Sequence, residues 1–208
     1  MYTLHTSAGS GGFAVHAVLA EAGEDCRIVH VDTKKNEQRK KSFLKLNPMA
    51  QVPVLTLPDG TVMTESAAMV IHLADMLAGG KLAPKPGSAK RATYLRWLTF
   101  MAVNPYTADL RYFYSDRYTT DPGGAEAVKA AALRDMEDQF AILDKAVGQG
   151  MYLLGNSFSA ADPYLLMLCT WHPDPAKLLA QRKNLGRLCQ RVKARKAIAP
   201  LNEFHKLW

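Results

Sequence analysis

Hydrophobic positions in the first third of the chain keep two alternating rhythms. Tyr2–Thr6, with Leu4 at its centre, and 27–32, with Ile28, Val29 and Val31, are short apolar runs of strand length. Between them Phe13, Ala17 and Ala20 share one side of a stretch that predicts a helix over 13–22, with Gly23 as its stop. A polar helix is expected over about 37–46, its buried side supplied by Phe43, Leu44 and Leu46. Two further strand-like runs, 53–57 and 61–64, flank Asp59-Gly60, where glycine accepts the positive φ of a hairpin turn. Met69, Val70, Leu73, Ala74 and Leu77 then recur with helical spacing. The order βαβαββα implies a parallel pair first and an antiparallel hairpin last.

The pattern changes beyond Leu77. Gly79, Gly80, Pro84, Pro86 and Gly87 mark a linker, and no strand signal follows. Helical periodicity covers about 89–114, 124–147 and 159–171, with shorter stretches to Trp208. The expected division is 1–78 as a small mixed domain, 79–88 as linker and 89–208 as an all-helical domain. Ser159 and Asp162 predict a capping box: Ser159 accepts from the amide near Asp162, Asp162 reaches back to the Ser159 amide, and Phe158 staples the turn.

Composition narrows the options further. Apolar residues at 48% and charged residues at 22% of 208 are globular values. No apolar run reaches the roughly 20 residues of a membrane span, and no secretory leader opens the chain, so the default expectation is the cytoplasm. Cys26, Cys169 and Cys189 lie far apart and read as free thiols, with no zinc-ligand spacing. The net charge of +7 gathers at 34–41 and 182–196. A nucleic-acid surface would interleave these cations with stacking aromatics. Only Phe43 adjoins the first cluster and none the second before Phe204, so both read as solvated faces that attract small anions.

Four features carry candidate chemistry. Val52-Pro53 opens a strand; it reads either as a trans edge proline or as a cis bond whose Val52 backbone faces outward to pair with an extended peptide. Glu65-Ser66 opens a helix, where Ser66 reads as a plain cap or as a carboxylate site, with Glu65 beside it for an ammonium. Lys34 and Lys35 follow the second strand as solvated charges or as carboxylate partners. The loop 7–12, Ser-Ala-Gly-Ser-Gly-Gly, ends at the mouth of the first helix.

The stretch Asn47-Pro48-Met49-Ala50-Gln51-Val52-Pro53-Val54-Leu55, the Asp59-Gly60 hairpin, Glu65-Ser66, Trp97-Leu98-Thr99-Phe100 and Phe158-Ser159-Ala160-Ala161-Asp162-Pro163-Tyr164-Leu165 stand in the order and spacing of a known family. Together they resemble the glutathione transferases, with the bacterial beta class nearest. The resemblance implies the glutathione transferase fold, an α/β thioredoxin-like N-terminal domain plus an all-α C-terminal domain. It implies glutathione as cosubstrate, a small apolar electrophile as second substrate, a homodimer, and a cis Val52–Pro53 bond. It assigns glutathione binding to Lys35 (or Lys34), Gln51, Val52, Pro53, Glu65 and Ser66. The chain departs from the beta class where that class has its loop cysteine: Gly11 stands there, and Tyr106-Thr107 replaces a His-Lys pair. Ser10, backed by Thr6 and Ser7, is then the expected thiolate stabiliser, with Gly11 and Tyr106 completing the catalytic set. Tyr106 reads equally as a core aromatic. Tyr112, Phe113, Trp171 and His172 are expected around the second substrate. Besides conjugation, a glutathione-binding protein with little catalysis and a peroxidase or dehalogenase on the same fold stand as alternatives.

Overall fold

The computed structural model describes all 208 residues. Strand β1 (Tyr2–Thr6) lies between β2 (Cys26–His30), its parallel neighbour, and β3 (Val54–Thr56), its antiparallel one, with β4 (Val62–Met63) at the far edge. Leu4 sits opposite both Ile28 and Leu55, so the apolar phase of the three strands is in register. Helices α1 (Gly12–Ala22) and α3 (Ser66–Met76) pack together on one face. On the other, Val31, Phe43 and Val54 form a small separate cluster beneath α2 (Lys41–Leu44). This is the mixed sheet of a thioredoxin-like domain, as the sequence predicts.

The continuous helix expected over 37–46 does not form. The segment holds a 3₁₀ turn, Glu37–Arg39, and the four residues of α2, and another 3₁₀ turn, Thr33–Lys35, precedes it. Asn36 adopts a left-handed φ of 58° and Lys40 is extended, each ending a turn. Asp32 caps the first turn by accepting from the Lys34 and Lys35 amides.

The remainder is helical: α4 (Ala89–Val103), α5 (Pro105–Phe113), α6 (Ala125–Val147), α7 (Ala161–Trp171), α8 (Pro175–Gln181), α9 (Lys183–Lys193) and a last turn, α10 (Asn202–His205). The periodicity over 89–114 divides at Asn104 because Pro105, lacking an amide proton, starts a new helix more easily than it continues one. A core of 38 buried residues runs from Leu4 through α1 and α3 into α4, α6, α7 and α9, so sheet and bundle share one interior. Arg195 clamps Glu21 of α1 at 2.6 and 2.7 Å, and Arg91 of α4 pairs with Asp75 of α3.

Half of the expected capping box is present. Asp162, fully buried, accepts from the Ser159 amide at 2.7 Å and the Leu153 amide at 2.8 Å. The Ser159 hydroxyl is 3.2 Å from the same carboxylate and caps no helix amide, because Ala160 is already helical and the turn begins there. Phe158 packs on Tyr152 and under the Arg195 guanidinium. The C-terminus folds back onto α1: the His205 carbonyl accepts from the Gly9 amide at 2.9 Å, His16 and His205 meet at 3.1 Å, and Trp208 packs on Phe13.

Candidate functional site

A cleft of about 1240 Å³ separates the sheet domain from α5 and the end of α7. Its sheet side consists of the 7–11 loop, the turns after β2 and the 48–52 segment; its helical side carries Tyr106, Asp109, Tyr112, Phe113, Trp171 and His172. A recess of about 170 Å³ adjoins it, bounded by Gln51, Val52, Pro53, Glu65, Ser66 and Tyr164. Tyr106, Gln51 and Val52 border both spaces.

The loop before α1 needs its glycines for close approach. A Cβ on Gly12 would stand 1.9 Å from the Thr6 hydroxyl oxygen, so only glycine lets α1 start against β1. At Gly11 the crowding comes from across the cleft. A Cβ there would lie 2.8 Å from the Tyr106 hydroxyl, 3.3 Å from Pro53 and 3.6 Å from the Ser66 hydroxyl. The space a residue-11 side chain would enter thus belongs to the Tyr106 hydroxyl. The Gly11 amide, immediately before the first residue of α1, has no backbone partner.

Ser10 does not present a free hydroxyl. Its Oγ donates to the Ser7 carbonyl at 2.7 Å and lies 2.9 Å from the Thr6 hydroxyl, an internal brace of the loop. A serine has one proton to give, and here the Ser7 carbonyl accepts it, so the expected service of Ser10 to a thiolate would require this brace to open. Tyr106 holds the better-placed donor. Its ring is wedged between Trp171 and Tyr164, at centroid distances of 5.1 and 6.4 Å. Burial, helped by the charges of Glu65, Asp109 and Tyr114, pushes its hydroxyl up to about 12, so it keeps its proton at neutral pH.

Around the recess, Val52–Pro53 is cis. The 47–51 turn before it is fixed by buried Asn47, which donates to the Gln51 carbonyl at 2.8 Å and accepts from the Met49 amide at 3.0 Å. Ser66 is the first residue of α3, and its hydroxyl lies 3.1 Å from that of Tyr164. Glu65 precedes it with φ 64° and ψ 101°, a backbone state that costs a non-glycine residue about 1–3 kcal/mol and survives where surroundings enforce it.

Lys35 is not brought to the cleft. It is 80% exposed and turned to Asp32 at 3.3 Å, because Asp32 caps its turn. Lys34 and Arg39 line the cleft in its place. Tyr112, Phe113, Trp171 and His172 all stand on the cleft wall. Sequence reasoning missed Asp109. Only 3% exposed, it borders the cleft with both carboxylate oxygens lacking any protein partner, and burial raises it to about 8. The available signal was its place three residues after Tyr106, on the same helix face.

Residues 13–76 match the glutathione S-transferase N-terminal domain family and residues 108–203 the C-terminal domain family. The chain is 29% identical to glutathione S-transferase GstA of Escherichia coli O157:H7 over 78% of each protein. The solved sphingomonad glutathione S-transferase complexed with glutathione is 30% identical, with a TM-score of 0.83 over 99% of this chain and 100% of that one. The bacterial beta class glutathione S-transferase of Sphingomonas chungbukensis is 29% identical, with a TM-score of 0.82 over the same shares.

Proposed function

The chain belongs to the bacterial glutathione S-transferase family, and from that premise we propose that it transfers the glutathione thiolate to small hydrophobic electrophiles, with Tyr106 as the thiolate's hydrogen-bond donor. The observation that carries this reading is the Tyr106 hydroxyl, 2.8 Å from where a side chain on Gly11 would begin, at the mouth of α1. Relatives crystallised with glutathione support the cosubstrate.

In this reading residues 1–78 hold glutathione, 89–208 shape the electrophile's pocket and 79–88 join them. The tripeptide lies extended along Gln51-Val52-Pro53. Its γ-glutamyl carboxylate meets the α3 N-terminus and the Ser66 hydroxyl, and Glu65 attracts the adjacent ammonium. Lys34 and Arg39, on the opposite rim, attract the glycyl carboxylate. The thiol then faces Tyr106 and the Gly11 amide. A free thiol ionises near 8.5. Hydrogen bonds to a charged group contribute about 1.5–3 kcal/mol each, enough to lower that value by one to two units. The protein forms no covalent bond with either substrate; it holds sulfur and electrophile in reach and favours the charged nucleophile. Tyr112, Phe113 and Trp171 supply the apolar wall. A cytoplasmic homodimer completes the proposal, with sedimentation velocity to test the assembly.

Titration of the bound thiol by its thiolate absorbance tests the mechanism. Tyr106→Phe should raise the bound thiol's pKa by about one to two units and slow conjugation of a chloronitrobenzene about 10- to 100-fold. Retention on immobilised glutathione without conjugation would instead support the binding-protein reading. Absence of calorimetric heat with reduced glutathione would overturn both.

A further inference from the structure

The cations that line the cleft are the unpaired ones of their segments. After β2, Asp32 takes Lys35 at 3.3 Å and Glu37 takes Lys40 at 2.7 Å, so both acids are occupied by cations outside the cleft wall. Lys34 and Arg39, which are on that wall, are exposed and have no carboxylate within ion-pair distance. The helical wall repeats the pattern. Arg111 of α5 is held by Asp135 of α6 at 2.8 Å and does not border the cleft. Arg117, in the 3₁₀ turn Ser115–Tyr118 beyond α5, borders it, exposed and without an ion-pair partner, its neighbour Asp116 included.

An aromatic ring, not an acid, positions Arg117. Its guanidinium carbon lies over the Tyr114 ring, 4.1 Å from the centre, and Tyr114 continues a cleft wall begun by the edge-packed pair Tyr112 and Phe113. A guanidinium set over a ring keeps N–H groups at its edge available, and that edge matches the paired oxygens of a carboxylate or sulfonate. No ionised acid on the main cleft wall opposes an anion there. Asp109 is its one carboxyl, with both oxygens sealed from solvent and burial raising it to about 8; Glu65 borders only the adjoining recess.

We propose that Arg117 is a specificity-determining residue that receives an anionic group on the second substrate, so that the chain favours electrophiles whose apolar body ends in a carboxylate or sulfonate. This deepens the transferase reading and rests on it. The body packs on Tyr112, Phe113 and Tyr114 and its anionic end meets Arg117, while Lys34 and Arg39 on the sheet side attract the glycyl carboxylate. At about 1240 Å³ the cleft exceeds the roughly 300–1,000 Å³ of an ordinary ligand pocket, which leaves room for such an acceptor beside the tripeptide. Arg117 takes no part in bond making. Sulfur attacks a carbon remote from the anionic end, and the guanidinium acts on capture and orientation. An acceptor lacking the anion uses the same apolar wall and gains nothing from Arg117.

The test uses a chlorodinitrobenzoate and its uncharged carboxamide. In both, the glutathione sulfur bonds to the ring carbon and chloride leaves with the electron pair, so only the remote group differs. Rates are compared for wild type, Arg117→Gln, Arg117→Lys and Arg117→Glu, with thermal melts to confirm folding. The benzoate's kcat/KM should fall about three- to tenfold in Arg117→Gln, through KM, and further in Arg117→Glu, while Arg117→Lys retains part of it. The carboxamide's kcat/KM and the KM for glutathione should stay within about twofold throughout. Added salt should lower the benzoate-to-carboxamide ratio in wild type, and lower it less in Arg117→Gln. Equal losses on both acceptors, or no loss on either, overturn the role of Arg117 while leaving the transferase reading intact. A raised KM for glutathione in these variants assigns Arg117 to the cosubstrate and overturns it as well. Failure of wild type to conjugate either acceptor or an uncharged chlorodinitrobenzene overturns the transferase reading and, with it, this one.

Discussion

Adding one methyl group at Gly11 tests the site's central contact. The Gly11→Ala carbon would begin 2.8 Å from the Tyr106 oxygen and 3.3 Å from Pro53. Backbone strain does not enter, because Gly11 already has φ −55° and ψ −12°. The hydroxyl must retreat by roughly half an ångström to regain ordinary contact, and its ring is hemmed by Trp171 and Tyr164. Overpacking of this kind costs about 1–3 kcal/mol, and the low end suits a neighbour at a side chain's tip. A melting-point loss of about 2–4 °C follows for a chain of this size. The rate effect is larger, because the retreating oxygen forfeits its hydrogen bond to a charged sulfur, about 1.5–3 kcal/mol or roughly 10- to 150-fold in kcat/KM. Tyr106→Phe alone should cost about the same rate. In the Tyr106→Phe background the clashing oxygen is gone, so Gly11→Ala should cost almost nothing more in rate or stability. The four proteins form a double-mutant cycle, read by steady-state conjugation and calorimetric melts. Additive losses would show that the two residues act independently and would refute the reasoning.

Asp109→Asn has a stability signature. The folded-state carboxyl lies near 8, above the ordinary value of 3.8, so the folded protein retains a proton that the unfolded chain releases. The stability tied to that proton is full below pH ~4 and is lost as pH rises toward about 8. Four units set a ceiling of about 5–6 kcal/mol, which relaxation of the fold around the ionised carboxylate reduces to about 1–3. The variant's melting point should therefore rise relative to wild type between pH 4.5 and 8.5 by about 3–10 °C, and a gap that is flat or widens toward acid counts against it. Lys34→Ala should raise the KM for glutathione about three- to tenfold, whereas Lys35→Ala should leave it within about twofold, as expected for an exposed charge; equal effects would reverse that assignment. Asp162→Ala leaves the buried Leu153 and Ser159 amides unpaired and should destabilise by about 3–5 kcal/mol, measured by urea unfolding; a loss below about 1 would show that the amides find water.

The βαβαββα order of elements, the hairpin and most helices were legible because apolar spacing and Gly/Pro punctuation state them locally. The 37–46 helix was not: its fate turns on Asp32 capping a tight turn and on Asn36 taking a left-handed φ, choices that periodicity does not encode. The cis Val52–Pro53 bond followed from the family resemblance, because the local sequence fits a trans edge proline as well. The brace on Ser10 was not legible, because which acceptor takes a hydroxyl's proton depends on loop geometry, here the Ser7 carbonyl at 2.7 Å. Lys34 and Lys35 differ only in which way a 3₁₀ turn points them. Asp109 escaped notice because a carboxyl on a helix ordinarily faces water, and only tertiary packing of α5 against α7 turns this one inward.

The return of α10 to the first loop ties the far end of the chain to its chemistry. The carbonyl of His205 steadies Gly9, two residues from the point where sulfur would rest, while Trp208 covers Phe13. An affinity handle fused after Trp208, or a few residues trimmed there, would therefore be felt at the nucleophile. Met1, 73% exposed, is the end where an extension can be attached without that consequence.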